Sequence, residues 1–125
     1  MATLPQLAYL DLSFNNIPGS VPSFRMSKSL TGIDLSCNAL TGPITSIHWE
    51  GLSNLVGLNL KYNSVDGNIP NSLFALPLVK MIDLSNDKFS DQLNMSLNIS
   101  CDQLDMFDLS SNNLEGSFPE FILQL

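Results

Sequence analysis

Four aspartates, Asp11, Asp34, Asp83 and Asp108, recur at one phase of this chain, with Asn59 at the same phase between them. Carboxylates in a regular row could hold a divalent cation or share acid and base work. If the row crosses neighbouring strands about 4.8 Å apart, adjacent charges repel by about 0.9 kcal/mol in water. Solvent tolerates that repulsion, so the row demands no metal. The single histidine, His48, lies in Ser46-Ile47-His48-Trp49-Glu50. No Ser–His–Asp or Cys–His pairing can be argued for it, and it reads as a surface or rim residue. Trp49 beside it reads as convex-side packing. Cys37 and Cys101 fall three repeats apart, on the order of 14 Å along a stack of strands. A disulfide needs Cα atoms within about 7 Å, so these two should not pair, and neither has zinc-site spacing. P-loop and kinase motifs are absent from the sequence. The residues therefore point to no catalytic site, no metal and no cofactor, and the chain is expected not to be an enzyme.

The elements that carry these residues come from a repeating leucine register. Four stretches run in phase: Leu4-x-x-Leu7-x-x-Leu10-x-Leu12-x-x-Asn15-x-Ile17, Leu30-x-x-Ile33-x-Leu35-x-x-Asn38-x-Leu40, Leu55-x-x-Leu58-x-Leu60-x-x-Asn63-x-Val65 and Leu104-x-x-Phe107-x-Leu109-x-x-Asn112-x-Leu114. A degenerate copy, Val79-x-x-Ile82-x-Leu84-x-x-Asp87-x-Phe89, fills the gap. The marker positions 15, 38, 63, 87 and 112 are 23, 25, 24 and 25 residues apart, a leucine-rich repeat period. The Leu-x-Leu alternation predicts short half-buried strands near 9–12, 32–35, 57–60, 81–84 and 106–109. One such strand cannot bury its own apolar face, so the copies must stack into a parallel sheet.

The fold expected is an α/β solenoid: a right-handed leucine-rich repeat coil with a short parallel β-sheet on the concave face and irregular or 3-10 segments on the convex side. One domain, 1–125, holds about five repeats (4–26, 27–51, 52–75, 76–100 and 101–125). Asn15, Asn38, Asn63 and Asn112 should form a structural ladder, because a buried amide can both donate and accept. Ionised Asp87 loses the donor role. That copy also lacks the Gly and Pro that close the others, as in Gly19-Ser20-Val21-Pro22 and Gly67-Asn68-Ile69-Pro70, and it should be the least regular. Both ends fall at the same repeat phase, with Leu4 and Leu125 equivalent to Leu76. Solenoids need polar caps, so the chain, lacking N- and C-terminal caps, reads as an internal slice of a longer solenoid or a truncated gene product, with a complete small protein with frayed ends as the alternative.

Net charge is −7, which disfavours nucleic acid and anionic membrane as partners. No apolar run reaches the roughly 18 residues of a membrane span, and no signal peptide is visible. The outward strand residues offer a binding face, with Tyr9, Asp11, Phe14, Asp34, Asn59, Lys61, Tyr62, Asp83 and Asp108 as candidate contacts. Tyr9, Phe14, Lys61 and Tyr62 lead, because aromatic side chains dominate interfaces. Asn94-Met95-Ser96 and Asn98-Ile99-Ser100 are candidate N-glycosylation acceptors away from the strands.

The full motif, Leu-x-x-Leu-x-Leu-x-x-Asn-x-Leu-x-Gly-x-Ile-Pro, resembles the repeat of plant leucine-rich repeat ectodomains. Leu40-Thr41-Gly42-Pro43-Ile44 with His48-Trp49-Glu50-Gly51-Leu52, and Asn71-Ser72-Leu73-Phe74-Ala75-Leu76-Pro77, are similar to receptor-like proteins of the Verticillium-resistance type. The resemblance implies a recognition module of a plant cell-surface immune receptor, on the extracellular face of the plasma membrane as part of a longer parent protein. Its implied partners are a protein or peptide ligand and a co-receptor kinase. The alternative is a soluble inhibitor of a microbial cell-wall-degrading enzyme, like the polygalacturonase-inhibiting proteins that share this repeat.

Overall fold

The Leu-x-Leu triplets do form strands. In a computed structural model, which describes residues 7–91 and 104–114, the chain alternates between two sets of short strands. β1 (Tyr9–Asp11), β3 (Gly32–Asp34), β5 (Gly57–Asn59), β7 (Met81–Asp83) and β9 (Met106–Asp108) each precede a marker residue. β2 (Pro18–Ser20), β4 (Ala39–Pro43), β6 (Ser64–Gly67), β8 (Lys88–Asp91) and β10 (Asn113–Leu114) each follow one. The first set pairs in parallel in the order β1-β3-β5-β7-β9, and the second in the order β10-β8-β6-β4-β2. Between them lie one short helix, α1 (Ser46–Trp49), and a 3-10 turn, Asn71–Ala75.

In the first sheet the pairing follows the repeat itself: Tyr9, Gly32, Gly57, Met81 and Met106 stand in one column. The second sheet was not expected, since the sequence reading placed only irregular or 3-10 chain after the asparagines. It is also sheared. Pro18 pairs with Ala39, Thr41 with Ser64 and Asp66 with Lys88, two residues short of the repeat at each coil. A slip of two preserves the alternation of inward and outward side chains, whereas a slip of one would turn the core face out.

The core is a set of columns. Ile33, Leu58 and Ile82 are buried, as are Leu35, Leu60 and Leu84, while Leu10, Leu12, Phe107 and Leu109 pack on them from the end coils and are partly buried. Trp49 and Phe24 stack at 6.5 Å between ring centroids. Phe74 meets Phe107 edge-on at 5.0 Å. The helix α1 packs against the 3-10 turn of the next coil. His48 has a structural task here: its Nδ1 accepts a hydrogen bond from the Thr45 N–H at 2.9 Å, tying down one of the donors a helix start leaves unpaired.

Each marker residue turns the chain between the two strands. Asn38 donates from Nδ2 to the Leu12 and Leu35 carbonyls, both at 3.0 Å, and its Oδ1 accepts from the Ile17 N–H at 3.1 Å. Asn63 donates to Leu35 and Leu60 and accepts from Leu40. Asn112 donates to Leu84 and Leu109 and accepts from Phe89. One amide thus bridges two coils, and donors and acceptors are both matched, as burial requires. Asp87 performs half of this. Its Oδ1 accepts from the Val65 N–H at 3.2 Å, and its Oδ2 is buried with no partner. Among the described residues of that coil the departure is confined to this atom, since β7 and β8 form on either side of it; positions 92–94, which include the one where the Pro is missing, lie outside the described residues.

Candidate functional site

The outward face of the first sheet gathers most of the predicted contacts, and the backbone explains how. The strand ladder runs on past each strand: the Phe14, Cys37, Tyr62 and Asn86 N–H groups bond to the Ser36, Lys61, Ser85 and Ser110 carbonyls of the next coil. To keep that pairing and still turn inward at the marker, the chain passes through the left-handed region. Phe14, Cys37, Tyr62, Asn86 and Ser111 all have φ between 55° and 59°. Side chains rarely adopt that conformation, and Asn tolerates it better than aromatic residues do. Phe14 and Tyr62 are nonetheless exposed there, 80% and 56%.

A second feature is a pair of glycines in the floor of the sheet. Gly32 and Gly57 occupy adjacent coils in the Tyr9 column. The Tyr9 ring lies directly over Gly32, so close that a Cβ there would stand 2.5 Å from Cδ2. Beyond Gly57 the column resumes with Met81 and the exposed Met106. Tyr9 covers Gly32, which is buried, so the gap in the column lies at the half-buried Gly57, between the tyrosine ring and two methionines.

The aspartate row has an internal explanation. Asp11, Asp34, Asp83 and Asp108 each accept from the N–H and the hydroxyl of the serine two residues on, at 2.9–3.0 Å and 2.6–2.7 Å. Each carboxylate holds its own turn. The serine bonds keep the Asp11 and Asp108 carboxyls below their ordinary range, the hydroxyl contributing most in both; Lys61 adds a smaller pull on Asp108. Asn59 accepts from the Lys61 N–H in the same way. Asp83 is only 6% exposed, which corrects its place among the candidate contacts: neighbouring coils cover it. Asp34 and Asn59 are half-buried, and Asp11 is open.

Cys37 is a free thiol at the turn of the second coil; Cys101 lies outside the described residues, as do Asn94 and Asn98. Among the described residues no cluster of His, Cys, Asp or Glu could hold a metal. No helix there is long and apolar enough to cross a membrane. On the other side of the coil, a cavity of about 310 Å³ between α1 and the 3-10 turn is lined by Trp49, Ser72 and Leu76. Trp49 Nε1 and Ser72 Oγ are buried there without partners. Sequence reasoning missed the left-handed column, because nothing in Phe14-Asn15 or Tyr62-Asn63 signals a positive φ by residue type.

Comparison with known proteins agrees with this architecture. Models of the leucine rich repeat match residues 28–89 and, separately, 6–25 and 103–125. Receptor like protein 22 of Arabidopsis thaliana is 34% identical over 145 residues, an alignment covering 93% of this chain and 18% of that protein. The Arabidopsis receptor kinase HAESA, solved in complex with the peptide hormone IDA and the co-receptor SERK1, matches with a TM-score of 0.88 and 29% identity over 97% of this chain and 20% of the other. A plant ice-binding protein matches with a TM-score of 0.86 and 27% identity, over 97% of this chain and 39% of the other. The coil by itself therefore does not choose a function. The chain spans about a fifth of the length of the two receptors. Repeat register, coil geometry and relatives converge: the chain belongs to the leucine-rich repeat family and carries the form of the repeat found in plant receptor-like proteins.

Proposed function

We propose that the chain is a ligand-recognition module of a plant cell-surface immune receptor-like protein, and that it binds a protein or peptide through the face of the first sheet. The observation that carries this reading is the exposed row of side chains on that face. Tyr9, Phe14 and Tyr62 are all more than half exposed on a sheet whose other face is the core, and exposed aromatic rings on one rigid surface are what a partner anchors on. Gly57, half-buried and without a side chain, leaves room for an extended backbone to approach. The extracellular placement, the co-receptor kinase and the immune role rest on the resemblance to receptor-like proteins. No catalytic step is assigned, because the aspartates and His48 that could take part are committed to holding turns.

The test fills the opening at Gly57. Gly57→Arg should abolish retention of extracellular plant peptides by the immobilised chain, whereas Ser53→Arg, on the opposite side of the coil, should leave it intact. Equal retention by both variants would end the assignment to this face.

A further inference from the structure

We propose that Phe14 and Tyr62 form the two walls of a slot over Cys37 that receives one aromatic side chain of an extended peptide, with a carboxylate next to that ring meeting Lys61. The proposal rests on the recognition reading above and names the ligand chemistry of that face.

The geometry comes from the register. Phe14, Cys37 and Tyr62 stand on three successive coils at one repeat phase, each with the same left-handed φ. Successive rungs are about 4.8 Å apart, so residues two rungs apart are separated by about 10 Å. A flat ring inserted midway lies about 5 Å from each wall, inside the separation at which aromatic rings attract. Between the walls Cys37 is a small side chain that still reaches solvent.

Neither wall is explained by folding. The next two coils place Asn86 and Ser111 at this phase, both small and polar, and asparagine enters the left-handed region more easily. Phe14 and Tyr62 accept backbone strain and leave large apolar rings in water, a combination that points to function where packing gives no return. The charge is as specific. On the outward columns of this face Lys61 is the one cation among the described residues; the equivalent positions are Ser13, Ser36, Ser85 and Ser110. Asn59 stands on the same coil where the other coils carry aspartate. The third coil therefore carries the one positive charge on the face, which also acts on Asp108, and Lys61 is next in sequence to the Tyr62 wall.

A random peptide library displayed on phage, panned against the 125-residue chain, tests this directly. Peptides that survive should carry an aromatic residue beside Asp or Glu. For synthetic versions of them, Phe14→Ala and Tyr62→Ala should each weaken binding about fivefold, the worth of one ring contact. Cys37→Phe places a ring that the same backbone already accepts at position 14. It should fill the slot and weaken binding about tenfold or more. Lys61→Glu should shift selection toward basic neighbours of the aromatic residue. Far-UV circular dichroism checks that each variant keeps its fold. If selected peptides bind but Phe14→Ala, Tyr62→Ala and Cys37→Phe all leave the affinity within about twofold, the slot is wrong and recognition by the face survives. If panning enriches nothing above an uncoated surface, both the slot and the recognition reading fall.

Discussion

Asp87→Asn should strengthen the fold near neutral pH and remove most of its pH dependence between pH 5 and pH 8. Asp87 Oδ1 accepts from Val65, but Oδ2 is buried without a partner. Asparagine would put a donor where Asn63 and Asn112 place theirs, 3.0 and 3.1 Å from the leucine carbonyls of their own coils. Burial pushes the Asp87 carboxyl up to about 7; the nearby Asp83 charge adds to the rise, and the Val65 and Asn63 N–H groups oppose it. In the unfolded chain the same group titrates near about 3.9. The fold therefore favours the protonated form, and stability falls as pH rises from about 4 to about 7, then levels off. A rise from 3.8 to about 7 has a ceiling of about 4 kcal/mol. Water at the edge of the stack reduces it, and about 1–2 kcal/mol is expected between pH 5 and pH 8. The assay is urea unfolding of parent and variant at both pH values, read as stability differences. His48 and the other carboxylates are common to both proteins and cancel in the comparison. The reasoning is refuted if the variant loses as much stability as the parent on going to pH 8, or if it is the weaker protein there.

Other consequences can be measured on the same chain. Leu58→Ala removes a fully buried side chain from the middle of the stack and should cost about 2–5 kcal/mol in urea unfolding; a loss below 1 kcal/mol would contradict a close-packed column. Trp49→Phe deletes a buried N–H that has no acceptor, so relief of the unpaired donor should offset lost packing, with stability changed by less than about 1 kcal/mol. Phe14→Asn should raise stability by about 1 kcal/mol, because asparagine enters the left-handed region more easily, while it weakens any aromatic peptide bound at the slot. A destabilised Phe14→Asn variant would mean that the ring packs on something within the coil.

Much of the architecture could be read before any coordinates. Leu-x-Leu triplets alternate inward and outward, and only stacking can cover their inner side, so the first sheet and its in-phase register follow from periodicity. The markers Asn38, Asn63 and Asn112 sit at the turn because an amide can serve two coils at once; Asn15, exposed on the end coil, donates only to the Leu12 and Ser13 carbonyls of its own turn, and Asp87 stands out because it has no donor. The second sheet was hidden. Its segments, such as Pro18-Gly19-Ser20 and Ala39-Leu40-Thr41-Gly42-Pro43, are rich in residues that strands avoid. They are extended because the neighbouring coil offers hydrogen-bond partners two residues out of phase. Face membership was also only partly legible: Asp83 and Asp11 share a repeat phase, yet one is covered by flanking coils and the other is open.

What the amino-acid order determined without help is the period, the inward leucines and the place of each turn, since these depend on side-chain type at fixed spacing. What only the stacked coils decided is which of the outward residues reach solvent and in what backbone state. The left-handed turn at Phe14, Cys37 and Tyr62 is imposed by hydrogen bonds to the next coil and by the inward marker amide. No local preference of phenylalanine, cysteine or tyrosine would have chosen it.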